Sequence, residues 1–343
     1  LRREEVQFVL AGAHERRSPG QVNSPRLRVL MLFLDGVGIG RRDAAINPLF
    51  AAALPAFHRL LDGDMPSLHR RQRDGRLATL LPLDATLGVP GLPQSGTGQT
   101  ALFTGVNGAK LIGKHFGPHP YSSLRPVIEA HNVFRRVLQA DCRPAFANAF
   151  PQRFFDYAEH RKTRLSVTTM SCFYAGLHIR GAEDLAGGNG ISADITGEGW
   201  NAPGYPEIPL CTPREAGHRL AALSAKFTFT LFEYWKTDHA GHAQSMKEAV
   251  QTLERLDGLL EGVLECLDMN ETLLVVTSDH GNIEDLSTRS HTRNPVPLIL
   301  ATTRHREVAR RVEHYGGRTP DLTHLLPVLL EIMCPDHGSL LTP

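Results

Sequence analysis

Cysteine is scarce in this sequence, and what there is forms no pattern. Cys142, Cys172, Cys211, Cys266 and Cys334 are scattered, odd in number and free of C-x-x-C spacing. That excludes a disulfide scaffold and a thiolate metal motif, and it leads us to expect reduced thiols in a cytoplasmic protein. Net charge is also nearly absent: 37 Lys and Arg against 36 Asp and Glu leave +1. No global field then favours nucleic acid or an anionic membrane, and neither partner is expected. No apolar run approaches the roughly 20 residues of a membrane helix, and the opening residues lack a signal-type apolar stretch with a small-residue cleavage site. Repeats of fixed period and long low-complexity tracts are missing as well.

What the sequence holds in quantity is histidine, with 17 residues, several of them beside Asp and Gly at the ends of apolar runs. At 343 residues, 41% hydrophobic and 21% charged, the chain has the make-up of a large α/β protein with a substantial core. The run Leu27 to Leu34 (LRVLMLFL) is apolar except for Arg28, as in a strand buried on both faces, and it ends at Asp35-Gly36. Similar runs follow at Phe227 to Phe232, Leu273 to Thr277 and Val296 to Ala301, with helical patterns such as Met246 to Leu267 between them. Alternating strands and helices predict an open, mostly parallel sheet with helices on both faces. Ligands of such sheets bind beyond the carboxyl ends of the strands, where Asp35, Asp238, Asp279 and His280 stand.

Residues 1–26 carry no sustained periodicity and read as a mobile extension. From 107 to 210 the texture turns rich in Gly, Pro and Asn, and we expect an inserted cap between core segments 27–106 and 211–343. The pattern predicts a last helix over Thr319 to Met333.

Asp279-His280-Gly281-Asn282 follows the run LLVVTS, so a carboxylate and an imidazole leave one strand end together. In Asp238-His239-Ala240-Gly241-His242, an Asp and a His four residues apart converge on one ion if a helical turn begins there, leaving His239 as a neighbour of the ligands. His291, in HTRNPVPLIL, reaches the next strand through a Pro-restricted approach. Oxygen and imidazole donors without cysteine suit Mn²⁺, Zn²⁺ or Fe. Ser95, in PQSGTGQTALFTG, stands where a helix starts, and is read either as an N-cap, a role Thr97 could also fill, or as a metal-activated nucleophile. A serine-hydrolase elbow would need Gly at the positions of Pro93 and Thr97, and a dinucleotide loop would need Gly at Arg41 after Gly36, Gly38 and Gly40.

Taken together, LFLDGVGIG, the Ser95 segment, TDHAGH, SDHGN and HTRNPVPLIL resemble the metalloenzyme branch of the alkaline phosphatase superfamily, which includes cofactor-independent phosphoglycerate mutase and phosphopentomutase. The resemblance implies an alkaline-phosphatase-like fold with two divalent cations, Mn²⁺ or Zn²⁺. One would be held by Asp238, His242 and His291, the other by Asp35, Ser95, Asp279 and His280. It also selects Ser95 over Thr97 and Thr100 as nucleophile, because Thr104-Gly105 follows at the family's spacing. The implied chemistry is in-line attack on a small phosphate ester to give a phosphoserine. With roughly a hundred residues for the insertion, hydrolysis is expected ahead of a phosphosugar or phosphoglycerate mutase, and a metal-binding homologue without turnover is a third possibility. Lys110, Lys114, His115, Arg125 and Lys236 are possible phosphate clamps. The aromatic and Arg-rich stretch FANAFPQRFFDYAEHRKTRLS suits either a sugar or base grip or a packed cap, and no role is assigned to it.

Overall fold

The computed structural model describes residues 26–161, 164–200, 207–317 and 319–336. The extension expected over 1–26 therefore lies, Arg26 apart, outside the described residues. The apolar runs become strands: β1 (Arg28–Leu34), β2 (Arg73–Asp74), β3 (Ala78–Leu83), β4 (Pro144–Phe146), β5 (Asn148–Ala149), β6 (Ile191–Ser192), β7 (Phe229–Tyr234), β8 (Thr272–Thr277) and β9 (Val296–Ala301). Every residue of β7, β8 and β9 is buried, and in β1 all but Arg28. That is why these strands read as continuous apolar runs rather than alternating ones.

The main sheet has the order β2-β3-β9-β8-β1-β7-β4. Strands β8, β1, β7 and β4 are mutually parallel, whereas β9 runs antiparallel to β8, β3 to β9 and β2 to β3. The α/β architecture is as expected, parallel through its centre and mixed on one side.

Successive residues of β1 point to opposite faces and build two cores. Val29, Met31 and Phe33 join Phe229, Leu102, Phe103 and Leu329 on one face. Leu30, Leu32 and Leu34 join Phe232, Leu220, Leu256 and Leu260 on the other. Each fully buried Leu or Phe contributes about 1.5–3 kcal/mol relative to exposure. The second face is covered by helices Pro213–Ser224 and Met246–Cys266. The first starts with a Thr212/Glu215 capping box and Pro at its opening turn, and the second is capped by Ser245.

Segment 107–210 does not stand apart as a cap. β4 extends the main sheet beside β7, and Leu124, Phe134, Val137, Val167 and Met170 are buried in the same core as Phe33 and Phe229. The Gly- and Pro-rich texture belongs to the loops, while the apolar residues between them need the sheet face for burial. What is separate is smaller: the β5–β6 pair with a cluster of Ala149, Leu185, Trp200 and Ile208.

The last helix is shorter than the pattern Thr319 to Met333. Asp321 accepts from the Thr323 amide and opens a single 3-10 turn, Leu322–His324, before the helix Leu325–Met333. All five cysteines are free thiols, with Cys142 and Cys334 sulfurs 3.3 Å apart. No helix among the described residues is long and apolar enough to cross a membrane.

Candidate metal centre

Because β8, β1 and β7 lie side by side and parallel, their carboxyl ends open on one edge of the sheet. Asp35 directly follows β1, Asp279 and His280 follow β8, and helix Lys236–Ala243 carries Asp238 and His242 just after β7. The i, i+4 spacing sets those two on one helical face, with Asp238 Oδ2 3.3 Å from His242 Nε2. His291 comes in from the loop before β9; its Nε2 lies 3.2 Å from His242 Nε2 and 3.6 Å from Asp238 Oδ1.

The second group centres on His280. Its Nε2 is 2.9 Å from Ser95 Oγ, 3.2 Å from Asp35 Oδ1 and 3.6 Å from Asp279 Oδ2. The two groups adjoin through the stacked rings of His280 and His291, whose centroids are 3.8 Å apart. All seven side chains singled out in the sequence thus gather at one rim.

Ser95 is the first residue of helix Ser95–Thr104, and the cap position belongs to Gln94, which makes no side-chain capping bond. The N-cap alternative is therefore not what the Ser95 hydroxyl does; it faces His280 instead. Nor do these contacts form a serine-hydrolase relay. In a relay the carboxylate holds Nδ1 while Nε2 faces the serine. Here Ser95, Asp35 and Asp279 all converge on the same Nε2, the arrangement of groups that share one ion.

The donor chemistry fits cations. His242 Nδ1 and His291 Nδ1 each lie 2.8 Å from a backbone carbonyl, of Arg289 and Pro93. Donation from both Nδ1 atoms leaves two unprotonated Nε2 lone pairs facing each other beside the Asp238 carboxylate, which is repulsive unless a positive charge lies between them. Asp35 Oδ1 and Asp279 Oδ2 are buried and accept no well-aligned hydrogen bond, although both are within ion-pair reach of His280. Donor atoms of Asp35, Asp279 and His280, and separately of Asp238, His280 and His291, lie within 4.8 Å of one another.

The protonation states tell the same story. Burial and the Asp279 charge push the Asp35 carboxyl up to about 7, and burial raises Asp279 too. Burial opposes charge on His280, yet Asp279 and Asp35 outweigh it and hold that imidazole up to about 10. Burial and His280 drive His291 down to about 4. Without a cation, a proton on His280 is what balances the carboxylates.

Sequence reasoning missed the groups that fix these loops. Glu284, 1% exposed, accepts from the Gly38 and Asn282 amides at 3.0 and 2.7 Å, from Asn294 Nδ2 at 3.0 Å and from the Thr292 hydroxyl. Asn282 donates to Asp238 Oδ1 at 2.7 Å, and Thr237 to the Asp35 carbonyl at 2.6 Å. The only trace of this in the sequence is glycine. Gly36 has φ +71°, and a Cβ there would sit 2.6 Å from Asp238 Oδ1, while one on Gly281 would sit 2.3 Å from Glu284 Oε1.

The suggested clamps are elsewhere. The rim cavity, about 460 Å³, is lined by Gln94, Ser95, Pro118, Asp238, His239, His242, Ser290 and His291. Lys114 lies over the Phe116 and Tyr121 rings, and His115 contacts the Val89 carbonyl. Lys236 faces a neighbouring cavity. His239 packs edge-on against Trp235.

Residues 215–333 match the family model described as the Metalloenzyme superfamily. That segment carries Asp238, His242, Asp279, His280 and His291, so over it the chain is similar to the Metalloenzyme superfamily in sequence as well as in its candidate ligands. Among curated relatives, the 2,3-bisphosphoglycerate-independent phosphoglycerate mutase of Thermomicrobium roseum is 35% identical over 123 residues, which is 33% of this chain and 22% of the relative. The protein of the same name from Gloeothece citriformis is 31% identical over 141 residues, 38% of this chain and 26% of the relative. The chain thus matches about a quarter or less of the length of these relatives. The solved structure of the PH0037 protein from Pyrococcus horikoshii superimposes with a TM-score of 0.54 at 14% identity, covering 90% of this chain and 97% of that one, a likeness of fold.

Proposed function

We propose that this chain transfers phosphoryl groups from a small phosphate ester through Ser95 at a two-metal centre. The observation that carries the reading is the convergence of the Ser95 hydroxyl, two buried carboxylates and three imidazoles at one strand-end rim. Asp238, His242 and His291 would hold one divalent cation, and Asp35, Asp279 and His280, with Ser95, the other. Bound there, Mn²⁺ or Zn²⁺ would supply Lewis acidity that lowers the hydroxyl pKa and neutralises phosphoryl oxygens.

The chain's own residues do the rest. The helix start presents Ser95 Oγ at the rim beside Asp35, Asp279 and His280, the residues that would hold the cation lowering the hydroxyl pKa. Oγ attacks phosphorus opposite the ester oxygen; the P–Oγ bond forms, the P–O ester bond breaks, and the alcohol departs with the proton that Ser95 gave up. A second hydroxyl then attacks the phosphoserine and returns the proton to Ser95.

Two acceptors have specific support. The names of the curated relatives favour a hydroxyl of the same molecule, a mutase, over the hydrolysis expected from the sequence. Water is favoured by the rim cavity, which among the described residues has no Lys or Arg in its lining to retain a released anionic intermediate.

The test is a panel of phosphate esters with Mn²⁺- or Zn²⁺-loaded protein, scored for free phosphate and for isomerised ester. Intact-mass detection of one phosphoryl group on Ser95 accompanies it. Full activity in Ser95→Ala would remove the nucleophile assignment.

A further inference from the structure

Beside the rim lies a second cavity of about 540 Å³, within the range of small-molecule sites. Its walls are aromatic and carry two cations: Phe154 and Tyr157 from helix Gln152–Arg161, Trp200, Trp235, Arg153 and Lys236. The stretch left without a role in the sequence thus supplies one wall. Phe154 stacks on Phe150 at 4.1 Å, which holds its ring in place, and the Trp200 indole donates to Ser192 Oγ at 3.0 Å. Lys236 Nζ lies 5.0 Å over the Trp235 ring.

This cavity adjoins the metal centre through one helix. Trp235 and Lys236 line it, while Asp238, His239 and His242, on the same helix Lys236–Ala243, line the rim cavity with Ser95. Trp235 meets His239 edge-on at 4.6 Å, so this pair of rings lies between the residues that line the two spaces. An ester long enough to reach past that ring pair from Ser95 would bring its alcohol portion beside these aromatic rings.

We infer that this cavity is the subsite for the alcohol portion of the substrate and that it takes a planar ring, so that the substrates are ring-bearing phosphate esters of the nucleoside monophosphate class. The inference rests on the phosphoryl-transfer reading above. A three-carbon phosphate ester leaves the aromatic walls bare, whereas a base fills the space, stacks on the ring faces and sets its electron-rich π-system against Arg153 and Lys236.

The chain has two tryptophans, and both line this cavity, so intrinsic fluorescence reads the site directly and without turnover. Adenosine 5′-monophosphate titrated into metal-free protein should give a saturable fluorescence change. Inorganic phosphate and 3-phosphoglycerate should give none. Tyr157→Ala, at a position 42% exposed and tolerant of truncation, and Phe154→Ala should each weaken nucleotide binding about tenfold, the loss of one base–aromatic stack. In metal-loaded protein the same variants should raise KM for the nucleotide and leave kinetics with 3-phosphoglycerate unchanged. An unchanged fluorescence signal with the nucleotide, an equal signal with the ringless esters, or undiminished affinity in both variants would overturn the subsite. Nucleotide binding in a protein that transfers no phosphoryl group from any ester would leave the subsite standing and sink the phosphoryl-transfer reading instead.

Discussion

Glu284 is the residue whose removal tests the loop architecture most sharply. Its carboxylate joins the loops after β1, after β8 and before β9 through four donors, two of which are the buried amides of Gly38 and Asn282 on Oε2. Glu284→Ala leaves both amides without an acceptor at about 1–3 kcal/mol each, so we expect a loss of about 4 kcal/mol of stability in metal-free protein. Glu284→Gln retains an oxygen for the amides but turns an amide NH₂ toward the NH₂ of Asn294. A donor facing a donor costs less than two orphaned amides, and we expect about 1–2 kcal/mol. Because these loops carry Asp35, Asp279, His280 and His291, metal affinity should fall about 10–100-fold in the Ala variant and less in Gln. Urea unfolding without metal and calorimetric titration with Mn²⁺ measure the two quantities separately. If the Ala variant stays within about 0.5 kcal/mol of wild type and binds Mn²⁺ as tightly, the account of Glu284 as the tie between the loops is wrong.

Ser95→Ala should lower phosphoryl transfer at least about a thousandfold and abolish the phosphoserine, with metal content retained when measured by atomic emission. Mn²⁺ or Zn²⁺ at a hundred times its dissociation constant should stabilise the fold by about 2.7 kcal/mol. In His291→Ala that increment should shrink, and an identical melting shift in the variant would argue against His291 as a ligand. Glu233, buried in β7 and bonded to the Thr168 hydroxyl at 2.5 Å, is pushed up to about 8, chiefly by burial. A raised acid favours folding fully below its unfolded pKa and loses that contribution as pH climbs through the folded value. Wild type should therefore lose stability relative to Glu233→Gln between about pH 4.5 and 8, and parallel pH profiles of the two in urea unfolding would contradict this.

The residues of the candidate site are legible in the sequence because two signals coincide on them. A strand covered on both faces must be apolar throughout, so LRVLMLFL and LLVVTS announce themselves, and the first polar residues after them are by necessity at the sheet edge. Asp238 and His242 were readable for a local reason as well, since four residues on a helix make one turn. In segment 107–210 loop composition masks helices whose apolar faces are short and need β4 and β7 beside them. Glu284 left no signal of its own, because a buried carboxylate looks like any surface Glu until its four donors are in place.

The sequence by itself determined which side chains end the strands and what kind of ion such oxygen and imidazole donors prefer, since burial and ligand chemistry act residue by residue. Only the tertiary structure decided that β9 runs antiparallel, that His280 faces Ser95 and both carboxylates with a single nitrogen, and that an aromatic cavity opens near the same helix. Those facts depend on register and on where residues far apart in the chain come together, such as Ser95 with His280, or Phe154 and Trp235 around one cavity, and no local period or composition encodes where distant segments come to rest.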